Sequence, residues 1–470
     1  MIVRRHCSTT AISLSFAALI TLLALPVSRP VLGQGAGQQS PMGRQAVLPG
    51  PSDDLLAKLE STYKDIHANP ELSMQERRTA GIAANWLREQ GYEVTEGVGG
   101  TGVVGLLRNG EGATVLLRAD MDALPMRENT GLPYASTKTG TDPSSGRETG
   151  IAHSCGHDMH VAWLMGVTQI LAANKDKWHG TVVAVFQPGE ETGEGAQAMV
   201  DDGLVKRFPK PDIALGQHVM SLPAGQTRLR SGALLSRSDS LKVTLFGRGG
   251  HGSAPETTVD PVVMAAATVM RLQTVISREI APTDNAAVTV GSLQAGSSAN
   301  IIPNEAVLQL NIRTFDDQVR DQVLSSIKRI VNGEAAASGA PKPPAITILG
   351  QFPLTVNDED ATRKVAEALR RRLGEEQVRP TSPASASEDF TVISRAWNVP
   401  SVYWFVGGID PKKFAEAART GSLNELPSNH SPEFAPVITP TLRTGIEAML
   451  AAAGAWLTGH QPEVARRACP

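Results

Sequence analysis

Apolar residues recur at helical spacing from Asp53 to Ala68. Ser73 followed by Glu76 reads as a capping box that opens a second helix, running to about Gln90 and stopped by Gly91. Val103 to Leu107 and Thr114 to Arg118 are strand runs separated by a glycine-rich turn. Asp158 to Ala173 reads as a helix. Thr181 to Phe186 is a continuous apolar strand of the kind covered on both faces, and Asp212 to Leu215 is another. Strands alternating with helices predict an α/β core.

The pattern changes after Ser240. Leu241 to Phe246 alternates as a strand, and Val259 to Ile280 reads as one long helix. Ala287 to Leu293 and Ala306 to Phe315 are strands, Asp317 to Ala336 is a helix, and Ile346 to Gly350 is a last strand. That βαββαβ order is ferredoxin-like and reads as an inserted domain. The proline-rich residues 341–344 mark the return crossing. The α/β pattern then resumes with helix Asp358 to Leu373, strand Ser401 to Val406 and helix Pro440 to Leu457. The division expected is 53–240 and 346–460 for a discontinuous metal-binding domain, 241–345 for the insert, and 461–470 for a tail.

A chain of 470 residues exceeds one core of ordinary size, which agrees with two domains. Hydrophobic content of 41% and charged content of 19% are those of a globular chain. A net charge of −3 without a basic block argues against nucleic acid as a partner. Residues 1–33 read as a signal peptide: Arg4, Arg5 and His6 are basic, and Ala11 to Leu25 is apolar and uncharged. The apolar run falls short of the roughly 20 residues a membrane span needs, so no span is expected in the mature protein. Residues 34–52 read as a flexible lead-in. These features predict export, to the periplasm or beyond. Of three cysteines, Cys7 leaves with the signal and Cys469 is next to last, so Cys155 alone lies within the fold. An exported chain that avoids disulfides yet keeps one internal Cys in a His-rich run keeps it for chemistry, the alternative being an inert buried thiol.

Cys155 and His157 are two residues apart and suit zinc or a similar metal. In an extended segment they would point the same way. Glu190 and Glu191 follow the apolar strand across Pro188-Gly189, and His218 follows the 212–215 strand through Gly216-Gln217. Ligands bind where the strands of an α/β sheet end, so these loops are expected at one edge. His430 lies in the loop Ser428 to Pro432 before the last helix.

With these residues in place, the chain resembles the aminoacylase and carboxypeptidase type of co-catalytic metallopeptidase. More narrowly, it resembles the amidohydrolase branch with hippurate hydrolases and plant auxin-conjugate amidohydrolases. The matching stretches are Ala119 to Pro125, Cys155 to His160, Phe186 to Gly193, Gly249 to Pro255, Val259 to Val263, Asn300 to Pro303, Ser387 to Phe390 and Asn429 to Pro432. They stand in the family's order. The resemblance implies a mixed-sheet catalytic domain of the phosphorylase/hydrolase-like type, with the insert serving as a dimerisation and lid domain. It implies two divalent metal ions on Cys155, His157, Glu191, His218 and His430, with one thiolate or carboxylate shared. Manganese or zinc fits the family, and nickel or cobalt also suits the donors. Glu190 would be the general base and Asp122 a carboxylate that orients a ligand. In a homodimer, His251 would polarise the scissile carbonyl, reaching a neighbouring subunit's site, while Asn300 and Arg313 would hold the substrate's carboxylate. Met159 and Glu256 depart from the family pattern; Met159 would narrow the site beside the metals, and Glu256 would put an anion where the family has a His.

The implied reaction is hydrolysis of an amide by water that the metals acidify and Glu190 deprotonates. An arginine for a free carboxylate points to N-acyl amino acids such as hippurate. The alternatives are a dipeptidase or carboxypeptidase on the same site, or a catalytically silent protein that captures amino-acid derivatives. The complete ligand set with Glu190 argues against silence.

Overall fold

The computed structural model describes residues 47–143 and 145–458. The expected signal peptide, the tail, most of the lead-in, and Cys7 and Cys469 lie outside these residues. Among the described residues, no helix is long and apolar enough to cross a membrane.

The central sheet has eight strands. Their spatial order is Glu93–Val98, Gly102–Asn109, Gly180–Gln187, Thr114–Asp120, Ile213–Pro223, Ser401–Ile409, Thr227–Leu229 and Val378–Pro380. The middle four run parallel, and antiparallel strands flank them. Val, Leu and Ala fill the central strands because both faces are covered. One apolar cluster carries the helices Asp53–Ala68, Arg77–Glu89, His157–Ala173, Glu359–Leu373 and Ile438–Leu457, and another packs the opposite face with Phe390–Trp397. His157–Ala173 is apolar on nearly every side, as a helix enclosed by sheet and helices must be.

The second sheet has the spatial order Ala286–Ala295, Glu305–Thr314, Arg237–Phe246 and Ala345–Phe352, with every neighbouring pair antiparallel. Helices Pro261–Thr274 and Asp317–Ala337 close one face over a separate apolar cluster. This is the ferredoxin-like arrangement that the sequence predicts, with the first strand starting earlier at Arg237 and the second and last longer at both ends.

Several local expectations change. The second helix starts at Arg77 without a capping box: the Ser73 hydroxyl donates to Asp122 instead (2.7 Å), and Glu76 accepts from Met74 and Gly189. A fully buried carboxylate competes for that hydroxyl better than a solvent-reachable helix end can. The long helix expected over 259–280 is α-helical only over Pro261–Thr274, and Val275–Glu279 forms a π turn. Strand Glu93–Val98 and helix Pro411–Thr420, both largely solvent-facing and weakly patterned, go unread in the sequence.

Two contacts fix the helix that carries the site. Helix Ile438–Leu457 crosses it at Gly445, where an added Cβ would lie 2.0 Å from the Trp163 ring. The Trp163 indole donates to Thr441 O across the same contact (3.1 Å). At the helix start, His67 bridges Asp158 (2.6 Å) and Glu128 (3.0 Å). Burial opposes charge on His67, but Asp158 and Glu128 override it and push its pKa up to about 10.

Gly445→Ala is expected to lower unfolding free energy by about 1–3 kcal/mol through overpacking, read by urea unfolding. His67 binds its proton more tightly folded than unfolded. Its contribution is therefore whole below the unfolded value of about 6.5 and fades as pH rises through about 10. The stability difference between the parent and His67→Gln should shrink over that window in urea titrations; a difference independent of pH would contradict the assignment.

Candidate metal centre

The parallel strands deliver the site. Asp120, the last residue of its strand, pairs in register with Gln187, the last of the next. Asp122 and the Glu190-Glu191 pair lie just beyond, on the carboxyl side of the sheet. His218 arrives differently from expectation. It sits within strand Ile213–Pro223, just beyond the last residues that pair with its neighbour Thr114–Asp120 (Gly216 with Arg118). Cys155 and His157 converge through a left-handed Gly156 (φ +90°) at the helix N-terminus rather than through an extended segment. Val219 packs so closely there that a Cβ on Gly156 would meet its Cγ1 at 2.4 Å. Glu190 to Gly193 is a tight turn closed by Gly193 N–H to Glu190 O (2.8 Å), so the turn, not strand alternation, separates the two carboxylates. His430 is held at positive φ (+68°), a conformation His tolerates better than most residues.

Their ligand atoms fall into two overlapping groups, Cys155 with His157 and His218, and Cys155 with Glu191 and His430. Cys155 Sγ lies 3.4 Å from His218 Nε2, and His430 Nε2 lies 3.3 Å from Glu191 Oε1. His157 Nε2 is 3.8 Å from Glu191 Oε1. The thiol common to both groups is placed to be shared.

Three observations show that these residues fit divalent cations. His157 Nε2 and Glu191 Oε1 are buried with no hydrogen-bond partner, although each points into the cluster. Such orphaned atoms are costly unless something binds them. The second observation is tautomer. The Val219 carbonyl can only accept, so His218 Nδ1 carries the proton (2.7 Å) and Nε2 offers a lone pair. Asp122 likewise takes His157 Nδ1 (3.2 Å). Third, negative charge is in excess. Buried Arg118 meets Asp120 (2.7 Å), Glu388 (2.7 Å) and Asp389 (3.0 Å) at once, with Glu190 and Glu191 alongside.

The protonation pattern follows from that crowding. Burial raises Glu190 well above the usual carboxylate range, and Glu388, Glu191 and Asp389 add to it. Burial also lifts Asp389 to about 8 against the pull of Arg118. Burial and Glu191 raise the Cys155 thiol, an effect a bound cation reverses. Cys155 and Glu191 hold His430 up to about 10, so a cation taking the same lone pair would release a proton.

Asp122 is fully buried and accepts from His157, from Ser73 and from the Glu191 N–H (2.9 Å), so it orients one imidazole and one glutamate together. His160 is excluded as a ligand. Its Nδ1 pairs with Asp120 (2.5 Å), and its Nε2 accepts the Val219 N–H (2.9 Å), which leaves no lone pair. The sequence reading passed over Arg118, Asp120, His160, Glu388 and Asp389. His160 stands one helical turn from His157, and the acidic pair lies in the quoted stretch Ser387 to Phe390, so a signal was present for each.

The site opens on a cavity of about 380 Å³. Cys155, Glu190, Glu191, His218 and His430 form one wall, and Met220, Leu235, Phe352 and Phe405 supply apolar surface. Arg313, from the second sheet, reaches the same cavity and donates to Ser387 Oγ (2.6 Å). His251 and Asn300 do not line it. Both are exposed, on and beside a small pairing of Gly250–His251 with Ile301–Ile302. The Ser253 N–H donates to His251 Nδ1 (3.1 Å), so a neutral ring presents Nε2–H outward. Met159 is fully buried in the core and does not narrow the site, because its helical position turns it away from the ligands. Glu256 is exposed in a 3-10 turn outside the cavity lining.

Residues 116–421 match the sequence pattern of peptidase family M20/M25/M40. The chain is 37% identical over 342 residues to a hippurate hydrolase of Campylobacter jejuni, covering 72% of this chain and 85% of that protein. It is 35% identical over 376 residues to thermostable carboxypeptidase 2 of Saccharolobus solfataricus, covering 77% and 91%. The crystal structure of the Bacillus subtilis YXEP protein, described as a dinuclear metal binding peptidase from the M20 family, superposes with a TM-score of 0.67 at 27% identity. That match covers 86% of this chain and 99% of the other.

Proposed function

Since the chain belongs to peptidase family M20/M25/M40 and is a hydrolase of its amidohydrolase kind, we propose that it cleaves the amide bond of N-acyl amino acids, hippurate-like compounds among them. One observation carries the reading: four metal-type ligands, Cys155, Glu191, His218 and His430, line one cavity with buried His157 grouped with Cys155 and His218, Glu190 lines it beside them, and Arg313 reaches the same space.

Cys155, His157 and His218 would hold one divalent ion, and Cys155, Glu191 and His430 the other. Zinc or manganese suits these donors, and cobalt or nickel is also compatible. Bound there, the ions would supply Lewis-acid polarisation of the amide carbonyl and acidify the attacking water. Glu190 takes the water's proton and gives it to the leaving nitrogen. Its burial among carboxylates gives it the high proton affinity that this task needs. Asp122 keeps His157 and Glu191 aimed while charge moves. Arg313 receives the substrate's free carboxylate, which the apolar wall opposite cannot solvate. His251, with Nε2–H outward and far from this cavity's lining, fits donation to the carbonyl oxygen in a second subunit's site. That role requires a homodimer through the segment 241–345, and Asn300 beside His251 would then reach the same substrate. The catalytic part would be 53–240 with 346–460. The basic start and apolar run of residues 1–33 support export with loss of the signal.

The carboxypeptidase relative favours a second reading, in which the carboxylate on Arg313 is a peptide C-terminus. The test is release of free amino acid from N-benzoyl and N-acetyl amino acids and dipeptides, after chelation and again with manganese, zinc, cobalt or nickel restored. Metal-restored turnover of N-acyl amino acids over dipeptides is expected; the reverse order favours the peptidase. Glu190→Ala should lose at least about 100-fold in kcat while retaining bound metal. Loss of metal in that variant would exchange the roles of Glu190 and Glu191.

A further inference from the structure

The ligands Cys155, His218 and His430 come from three distant stretches of chain, yet their supports meet at one residue, Val219. The Val219 carbonyl accepts His218 Nδ1–H (2.7 Å) and the side-chain amide of Asn429 (3.0 Å). The same Asn429 nitrogen donates to Cys155 O (3.0 Å). Both partners are carbonyl oxygens, so only the NH2 of Asn429 can satisfy them. Asn429 immediately precedes His430, whose own N–H donates to Ser154 O (2.9 Å). The Val219 N–H is tied down by His160, which Asp120 locks in turn (2.9 and 2.5 Å). The His160 ring is buried, stacked on Trp163 and edge-on to His218, with centroids 5.3 and 4.5 Å away. An imidazole here must accept on one nitrogen and donate on the other, and it does both.

We propose that the Asp120–His160 pair and Asn429 are positioning groups that clamp the Val219 backbone from two sides and so hold Cys155, His218 and His430 in register for metal. The clamp explains why a buried His one turn from a ligand is itself no ligand. It also explains why strand Ile213–Pro223 continues past its neighbour: the overhang is braced by a side chain where a strand partner ends.

The proposal rests on the ligand set above, and Co(II) binding to the parent protein, with a thiolate-to-cobalt absorption band, tests that set on its own. Affinity is then measured by chelator competition in three variants. His160→Leu keeps bulk but removes both hydrogen bonds and is expected to weaken Co(II) binding by about 10–100-fold and to alter the thiolate band. Asn429→Ala, at the half-buried rim where little packing is lost, should do the same. His160→Gln retains an acceptor for Val219 and a donor for Asp120 and should stay near the parent. Parent-like binding by either His160→Leu or Asn429→Ala overturns the proposal, as does a His160→Gln that falls as far as His160→Leu. Should His160→Leu not fold, the other two decide: weakened Asn429→Ala with parent-like His160→Gln supports the clamp, and any other result overturns it.

Discussion

Arg118 is fully buried and shared among Asp120, Glu388 and Asp389, and it meets Gln187 through Nε as well (2.9 Å). The rest of the site depends on this crowding. One guanidinium cannot neutralise three carboxylates while Glu190 and Glu191 stand beside them. Burial makes each uncompensated charge expensive. Two outcomes relieve the cost. One is a higher proton affinity, as burial and neighbouring carboxylates give Glu190 and burial gives Asp389. The other is a divalent cation, which, bound at the edge of the cluster, would supply further positive charge. A base of high proton affinity and a metal-binding wall are thus two consequences of one electrostatic excess.

The carboxylates in that excess are held by further donors. Tyr403 donates to Glu388 (2.5 Å), the Ala196 N–H to Asp389 (3.0 Å), and the Phe390 N–H to Glu388 (2.9 Å). Asp122 plays the corresponding part on the other flank, gathering Ser73, His157 and Glu191. Among the buried atoms without hydrogen-bond partners are His157 Nε2 and Glu191 Oε1, which both belong to the metal-type cluster. Supports are satisfied and ligand atoms are not, as preorganisation for an ion requires.

Arg313 gives the second sheet its place in the chemistry. It extends from strand Glu305–Thr314 into the cavity and is braced by Asn311 (2.8 Å) and Ser387. Ser387 stands next to Glu388, so the cavity-lining Arg313 and the buried carboxylates are linked through it. Phe352, at the end of the same sheet, would lie 3.1 Å from a Cβ on Gly193 in the glutamate turn. The second sheet therefore touches the glutamate turn directly.

The sequence by itself determined the layered α/β class, the ferredoxin-like second sheet, and the identities of Cys155, His157, Glu190, Glu191, His218 and His430. Periodicity records which face of an element is buried, and thiol, imidazole and carboxylate side chains declare their chemistry wherever they stand. What only the tertiary structure decided is how each of these is held. Arg118 reads along the chain as an ordinary charge, and the stretches that hold Asp120, Glu388 and Asp389 do not say what those carboxylates meet, because their burial comes from strands and helices distant in sequence. The lone pair a His offers is set by what its other nitrogen meets, so His157 and His218 keep Nε2 for a metal and His160 has none to offer only because Asp122, Val219 and Asp120 take the other positions. Met159 stands between His157 and His160 in the sequence, yet the turn of the helix sends it into the core. Side-chain chemistry is local and can be read in order, whereas desolvation and hydrogen-bond partnership are properties of three-dimensional neighbours.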